Sequence, residues 1–128
     1  MAASADVVRR YFEAFEHDDL DHAGEFWHPD IEWRAMEGSA DDVGVMRGQL
    51  AMRRYCEDWV DTFDQLRAEV EEVLFEEGER VVVAVRNSGR GRASGVVTGG
   101  RYYVTATVAD GLILRGREYA TPEEALKG

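Results

Sequence analysis

The stretch GVVTGGRYYVTATVADGLILRGREY, residues 95–119, decides the architecture. Val104, Ala106 and Val108 alternate with Thr105 and Thr107, which is the period of a strand with one apolar face. Asp110-Gly111 then breaks the alternation with a dipeptide suited to a tight hairpin turn, so residues 95–109 read as a long strand turned back into residues 112–119. Upstream, Leu66, Ala68 and Val70 alternate with charged neighbours, Gly78 turns the chain, and residues 80–87 return as a further strand. A glycine- and arginine-rich turn over residues 88–94 joins that strand to the next. The second half is therefore an antiparallel sheet.

Toward the N-terminus the period lengthens to that of a helix. Val7, Val8, Tyr11, Phe12 and Phe15 recur at helical spacing over residues 6–16, with Ser4 as the expected N-cap and Asp6 favouring the first-turn dipole. Asp18 or Asp19 caps a second short helix, whose Leu20, Ala23, Phe26 and Trp27 share a face before Pro29 stops it. A short strand over 31–34 follows. Gly38, Gly44, Gly48 and the polar cluster from Ser39 to Asp42 make residues 35–47 a mobile loop, a candidate lid. A third helix over 49–63 presents Ala51, Tyr55, Trp59 and Phe63 on one aromatic face, and Thr121-Pro122-Glu123-Glu124 opens a last short helix with a capping box. The fold class is α+β, helices on a curled sheet enclosing an apolar pocket. No linker or repeat interrupts residues 1–128, which read as one domain.

Composition narrows the function classes. Hydrophobic residues are 45% of the 128 and charged ones 32%, a globular balance. No apolar run approaches the roughly 18 residues of a membrane span, and residues 1–10 lack the pattern of a signal peptide, so a cytoplasmic protein is expected. The formal net charge of −11 repels phosphate backbones and anionic lipid, which argues against nucleic-acid and membrane partners. Glu69, Glu71, Glu72, Glu76, Glu77 and Glu79 read as a solvated rim. Cys56 is the sole cysteine, which excludes an internal disulfide, and its position on a helix flank suits an inert thiol. The three histidines form no metal-ligand spacing with a nearby acid, and no cofactor motif is present, so neither metal nor cofactor is expected. His28 reads as structural, His17 and His22 as exposed. Val81, Val83 and Val85 form one strand face, Val82 and Ala84 the other; the N-terminal helices cover only one side, so a homodimer through the outer sheet face is expected.

The order of elements resembles the nuclear transport factor 2-like superfamily, and within it the SnoaL-like and ketosteroid isomerase-like branch, over essentially the whole chain. The resemblance is carried by Val7-Val8-Arg9-Arg10-Tyr11-Phe12-Glu13-Ala14-Phe15, Trp27-His28-Pro29-Asp30-Ile31-Glu32-Trp33, Arg47-Gly48, Gly78-Glu79-Arg80-Val81-Val82-Val83, and the Asp110-Gly111 hairpin followed by Glu118-Tyr119. It implies a cone-shaped fold. It does not select an activity, because that fold hosts isomerases, polyketide cyclases, hydrolases, dehydratases and noncatalytic binders.

Residue by residue, the resemblance gives Tyr11 the place of the isomerase tyrosine that donates a hydrogen bond to the substrate oxygen. The isomerase's carboxylate base falls on Ala35, whose methyl group takes no proton, and the second oxyanion donor falls on or near Thr105. Strand parity turns Arg101, Tyr103, Thr105 and Thr107 the same way, toward the pocket on this alignment, with Leu114, Gly116 and Glu118 inward from the last strand and Gly116 leaving room for a ligand. An inward Glu118 among Trp33, Tyr103 and Tyr11 is desolvated, which raises a carboxylate's pKa and suits it to acid/base work. The alternative pairs Glu118 with Arg101 or Arg117, or turns it to solvent. Tyr11, Trp33, Tyr55 and Trp59 are either pocket wall or ordinary core aromatics. Arg86, Arg90, Arg92 and Arg101 are either an anion-binding mouth or solvated hairpin residues. The expected function is binding of a small hydrophobic or polycyclic metabolite, with isomerase- or cyclase-type chemistry by Glu118 and Tyr11. Its alternatives are a noncatalytic dimeric binding module and an interaction scaffold whose pocket is plugged by Trp27, Trp33 and Trp59.

Overall fold

A computed structural model describes residues 3–38 and 44–128. Its first helix, α1 (Ser4–Glu16), buries Val7, Val8, Tyr11, Phe12 and Phe15 along one stripe. Ser4 is not the cap. It lies in the first turn, Ala3 takes the N-cap position without a side-chain bond, and the Ser4 hydroxyl donates to the Gly78 carbonyl at 2.9 Å. The Glu76 carboxylate instead accepts the Ala5 N–H at 2.8 Å, so one acid of the expected rim holds the helix N-terminus against the sheet.

Helix α2 (Leu20–Gly24) is capped by Asp19, which accepts the His22 N–H at 3.1 Å. It ends well before Pro29, and Trp27 already belongs to β1 (Trp27–Arg34). The strand accommodates Pro29 because its pairing is interrupted between Trp27 and Glu32. The segment expected to be irregular contains a further strand, β2 (Val45–Arg47), whose Met46 is buried and whose backbone pairs with Glu32–Arg34. Three residues are too few for alternation to reveal. The cluster from Ser39 to Asp42, expected in a mobile loop, lies outside the described residues.

Helix α3 (Gln49–Thr62) runs directly into β3 (Phe63–Glu77), so Phe63 is the first residue of a strand and not the last of a helix. Beyond lie β4 (Arg80–Gly91), β5 (Val97–Ala109), β6 (Leu112–Tyr119) and α4 (Pro122–Lys127). The hairpin turn between β5 and β6 has Asp110 and Gly111 both at positive φ, 56° and 76°, as expected of its sequence.

The six strands form one open sheet in the order β2-β1-β6-β5-β4-β3. It is antiparallel except where β1 pairs parallel with β6. The β3–β4 ladder shifts register in three places, and such bulges curl a sheet. Helix α1 packs in the resulting hollow, against Val81, Val83 and Val85 of β4 and Val104, Ala106 and Val108 of β5. The opposite face is partly covered from within the chain. Thr121 accepts the Glu124 N–H at 3.3 Å, α4 returns across β4, β5 and β6, and Ala125, Val82 and Ala84 are fully buried. Among the described residues no helix is long and apolar enough to cross a membrane.

Candidate active site

Helices α1 and α3 and five strands, β1 and β3 to β6, converge on a cavity of about 90 Å³. Helix α1 contributes Tyr11, β1 Trp33, α3 Tyr55 and Trp59, and β6 Glu118. Met36, Trp59, Leu66, Asn87 and Tyr102 also line an adjoining hollow of about 280 Å³, which makes it an outer vestibule to the cavity. Trp33 and Trp59 are walls and Trp27 is not among the lining residues, so the tryptophans do not plug the space.

Tyr11 is 2% exposed, with its ring centroid 5.8 Å from that of Trp33 and 6.0 Å from that of Trp27. Its hydroxyl lies 3.5 Å from the Cys56 sulfur, and either atom can supply the hydrogen. Burial pushes the Tyr11 phenol well above its ordinary pKa, reinforced by Cys56. Burial likewise pushes the Cys56 thiol up to about 12, with the nearby Glu118 charge adding to the rise and the Tyr11 hydrogen bond opposing it. Both groups are therefore neutral near pH 7. Sulfur is a weak acceptor, so the phenolic O–H is poorly satisfied and is readily redirected to a ligand oxygen.

The Glu118 side chain is half-buried and faces this space. The Trp33 indole N–H donates to its Oε2 at 2.7 Å, and the Tyr55 hydroxyl donates to the same oxygen at 3.3 Å. Neither arginine weighed as a partner for Glu118 is used in that way. Arg101 pairs with Glu71 and Glu72 at 3.3 Å each, and Arg117 with Glu37 at 3.6 Å. The Trp33–Glu118 bond depends on Gly116. Trp33 is the parallel partner of Gly116, and a Cβ there would lie 2.2 Å from the indole. The room left by Gly116 holds Trp33, not a ligand.

The sequence thus brought Tyr11, Trp33, Tyr55, Trp59 and Glu118 to one cavity, but its parity for β5 was inverted. Val104, Ala106 and Val108 are buried toward the helices, and Tyr102 lines the cavity. Tyr103, Thr105 and Thr107 face the other side, where the Thr105 hydroxyl donates to the Ala125 carbonyl under α4. Arg101 touches the vestibule's rim, yet its guanidinium lies over the Tyr103 ring and pairs with the acids of β3. Burial of the Val/Ala face decides the orientation. On β6 the register shifts opposite Thr107 and Val108, so Ile113 is fully buried where Leu114 was expected to point inward.

Sequence reading missed Asn87, Met36 and Tyr102. For Asn87 the signal was available, because the alternation Val81, Val83, Val85 continues inward to position 87. Of the arginines weighed as an anion-binding mouth, Arg86 pairs with Glu71 and Arg92 with Asp64. His28 accepts the Asp30 N–H through Nδ1 at 3.0 Å, and His17 and His22 are exposed. Among the described residues no cluster of His, Cys, Asp or Glu side chains is arranged to hold a metal ion.

The SnoaL-like domain family matches residues 8–116. The fold is similar to that of TerC co-crystallised with polyporic acid, at a TM-score of 0.79 and 19% identity over 99% of this chain and 100% of that one. It is similar to a putative SnoaL-like polyketide cyclase from Jannaschia sp. CCS1, at 0.76 and 22% identity over 97% and 88%. It is also similar to RV0760c from Mycobacterium tuberculosis in complex with estradiol-17β-hemisuccinate, at 0.81 and 14% identity over 95% and 97%. No curated protein matches the chain by sequence.

Proposed function

The chain belongs to the SnoaL-like family, and from that premise we infer that it binds a small hydrophobic, ring-bearing metabolite and moves a proton on it through Glu118. One observation carries this reading. Among the described residues Glu118 is the only carboxylate on a wall otherwise made of aromatic, aliphatic and neutral polar side chains, and Tyr11 stands on the same wall. A carbon acid beside a ring carbonyl fits such a site. Glu118 takes the proton, the C–H electron pair moves into the enolate, and the neutral Tyr11 hydroxyl donates to the developing oxyanion. Returning the proton from Glu118 to the far carbon of a conjugated dienolate completes an isomerisation; alternatively the enolate attacks a second carbonyl to form a C–C bond, and passing the Glu118 proton to the resulting alkoxide completes a cyclisation. The polyporic acid and estradiol hemisuccinate bound by proteins of like fold, both ring-bearing, agree with the ligand class.

Ala35, fully buried at the end of β1, favours a second reading. On the resemblance to the isomerases their base falls on Ala35, which supports a dimeric module that binds the same ligands without changing them. In that reading the outer sheet face, where Val45 and Leu126 are 41% and 43% exposed, meets a second copy.

Hydrogen–deuterium exchange at the acidic carbons of 2-tetralone, followed by NMR, separates the two. The acid/base reading expects the protein to accelerate exchange and Glu118→Gln to remove about 10²–10⁴-fold of that acceleration with the fold intact. Equal acceleration by Glu118→Gln overturns it. Bound tetralone that exchanges only at the background rate selects the noncatalytic module.

A further inference from the structure

We propose that Asn87 and Gly100 form a polar subsite at the mouth of the cavity, which selects ligands carrying a hydroxyl or carbonyl oxygen at the end remote from Glu118. The inference rests on the binding reading above and adds to it the polarity pattern of the ligand.

Asn87 lies on the inward face of β4, two residues beyond Val85. It lines both the inner cavity and the vestibule, whereas Glu118 lines only the inner cavity, so the two polar groups mark different depths. The Asn87 partners across the sheet are Ala68 on β3 and Gly100 on β5. A Cβ built on Gly100 would meet nothing within 4 Å, so open space lies beside the amide. On the inner side it shares the wall with Leu66, Trp59 and Tyr102, and the outer rim of the vestibule adds Ser88, Thr98 and Arg101.

Among the described residues the Asn87 amide makes no hydrogen bond, and its polar atoms are not sealed from solvent. A primary amide offers two donors and an acceptor and gains nothing from an apolar wall. Leucine would fill that wall at no polar cost. The amide therefore suits a ligand oxygen, accepting from a hydroxyl or donating to a carbonyl. A rigid ring system spanning cavity and vestibule would present one oxygen to Glu118 and the other to Asn87.

Estradiol, with an oxygen at each end of a rigid tetracycle, and estra-1,3,5(10)-trien-3-ol, which lacks the 17-hydroxyl, make a matched pair of probes. Binding is read from tryptophan fluorescence. The wild-type protein is expected to bind the diol about 2- to 13-fold more tightly, the worth of one hydrogen bond. In Asn87→Leu the two affinities become equal, and Asn87→Ala repeats the result without added bulk. Gly100→Ala, which has space for its methyl group, keeps the fold and weakens both ligands. Equal binding of the pair by wild type, or a preference that survives in both Asn87 variants, overturns the subsite and leaves the cavity reading standing. Failure of wild type to bind either probe counts against the cavity reading itself, and the subsite falls with it.

Discussion

Gly116 shows how one missing side chain shapes the site. The Trp33 indole occupies the position a Cβ would take, and from there its N–H reaches Glu118. Gly116→Ala should cost about 1–3 kcal/mol as an overpacked core, measured by chemical denaturation, and should release Glu118 from the indole. Wild-type stability in that variant would contradict the geometry. Cys56 supports a prediction in pH. Its thiol is pushed up to about 12 in the folded chain, against about 8.5 in an unfolded one. Below about 8.5 both states are protonated and its contribution is complete. Above that the unfolded thiol ionises first, so stability falls by about 1.4 kcal/mol per pH unit until the folded pKa is reached. Denaturation at pH 8 and 10 should show this fall, and Cys56→Ala should reduce it. At this scale the sequence was legible for residues fixed by helical spacing, such as Tyr11. It was not for Gly116, whose role appears only once β1 is placed beside β6.

Elements were legible where the local signal was strong and tertiary context agreed. The Asp110-Gly111 turn and the Thr121 capping box both formed as read. Thr121→Ala should cost about 1 kcal/mol in thermal unfolding, because α4 loses the cap that satisfies the Glu124 N–H. No change would mean that packing of Ala125 alone holds the helix. Ser4 failed as a cap because Glu76, distant in sequence, reaches the same helix end. The β5 parity failed for a related reason. Its threonine and valine faces are both compatible with a strand, and only the positions of α1 and α4 decide which one is inner. On β6 a single bulge exchanged the roles of Ile113 and Leu114.

At the scale of the whole molecule, the change of hydrophobic period near position 63 already separated the helical part from the sheet. Two features lay beyond it. One is the parallel pairing of β1 with β6, which joins residues far apart in the chain. The other is the return of α4 over part of the outer face, where Val82 and Ala84 are fully buried within the chain and a second subunit had been expected to cover them. Sedimentation equilibrium addresses the remaining surface. A dimer that Val45→Glu weakens places the interface on the outer sheet, and a monomer at all concentrations removes the dimer from the account.

The central claim is that the cavity between α1 and β6 is the working site. A crystal structure of the protein soaked with estradiol tests it most directly. Ring density is expected between Tyr11 and Glu118, with a ligand oxygen within hydrogen-bond distance of the Glu118 carboxylate. Density on the outer sheet face alone, or a cavity left empty at saturating ligand, would contradict it.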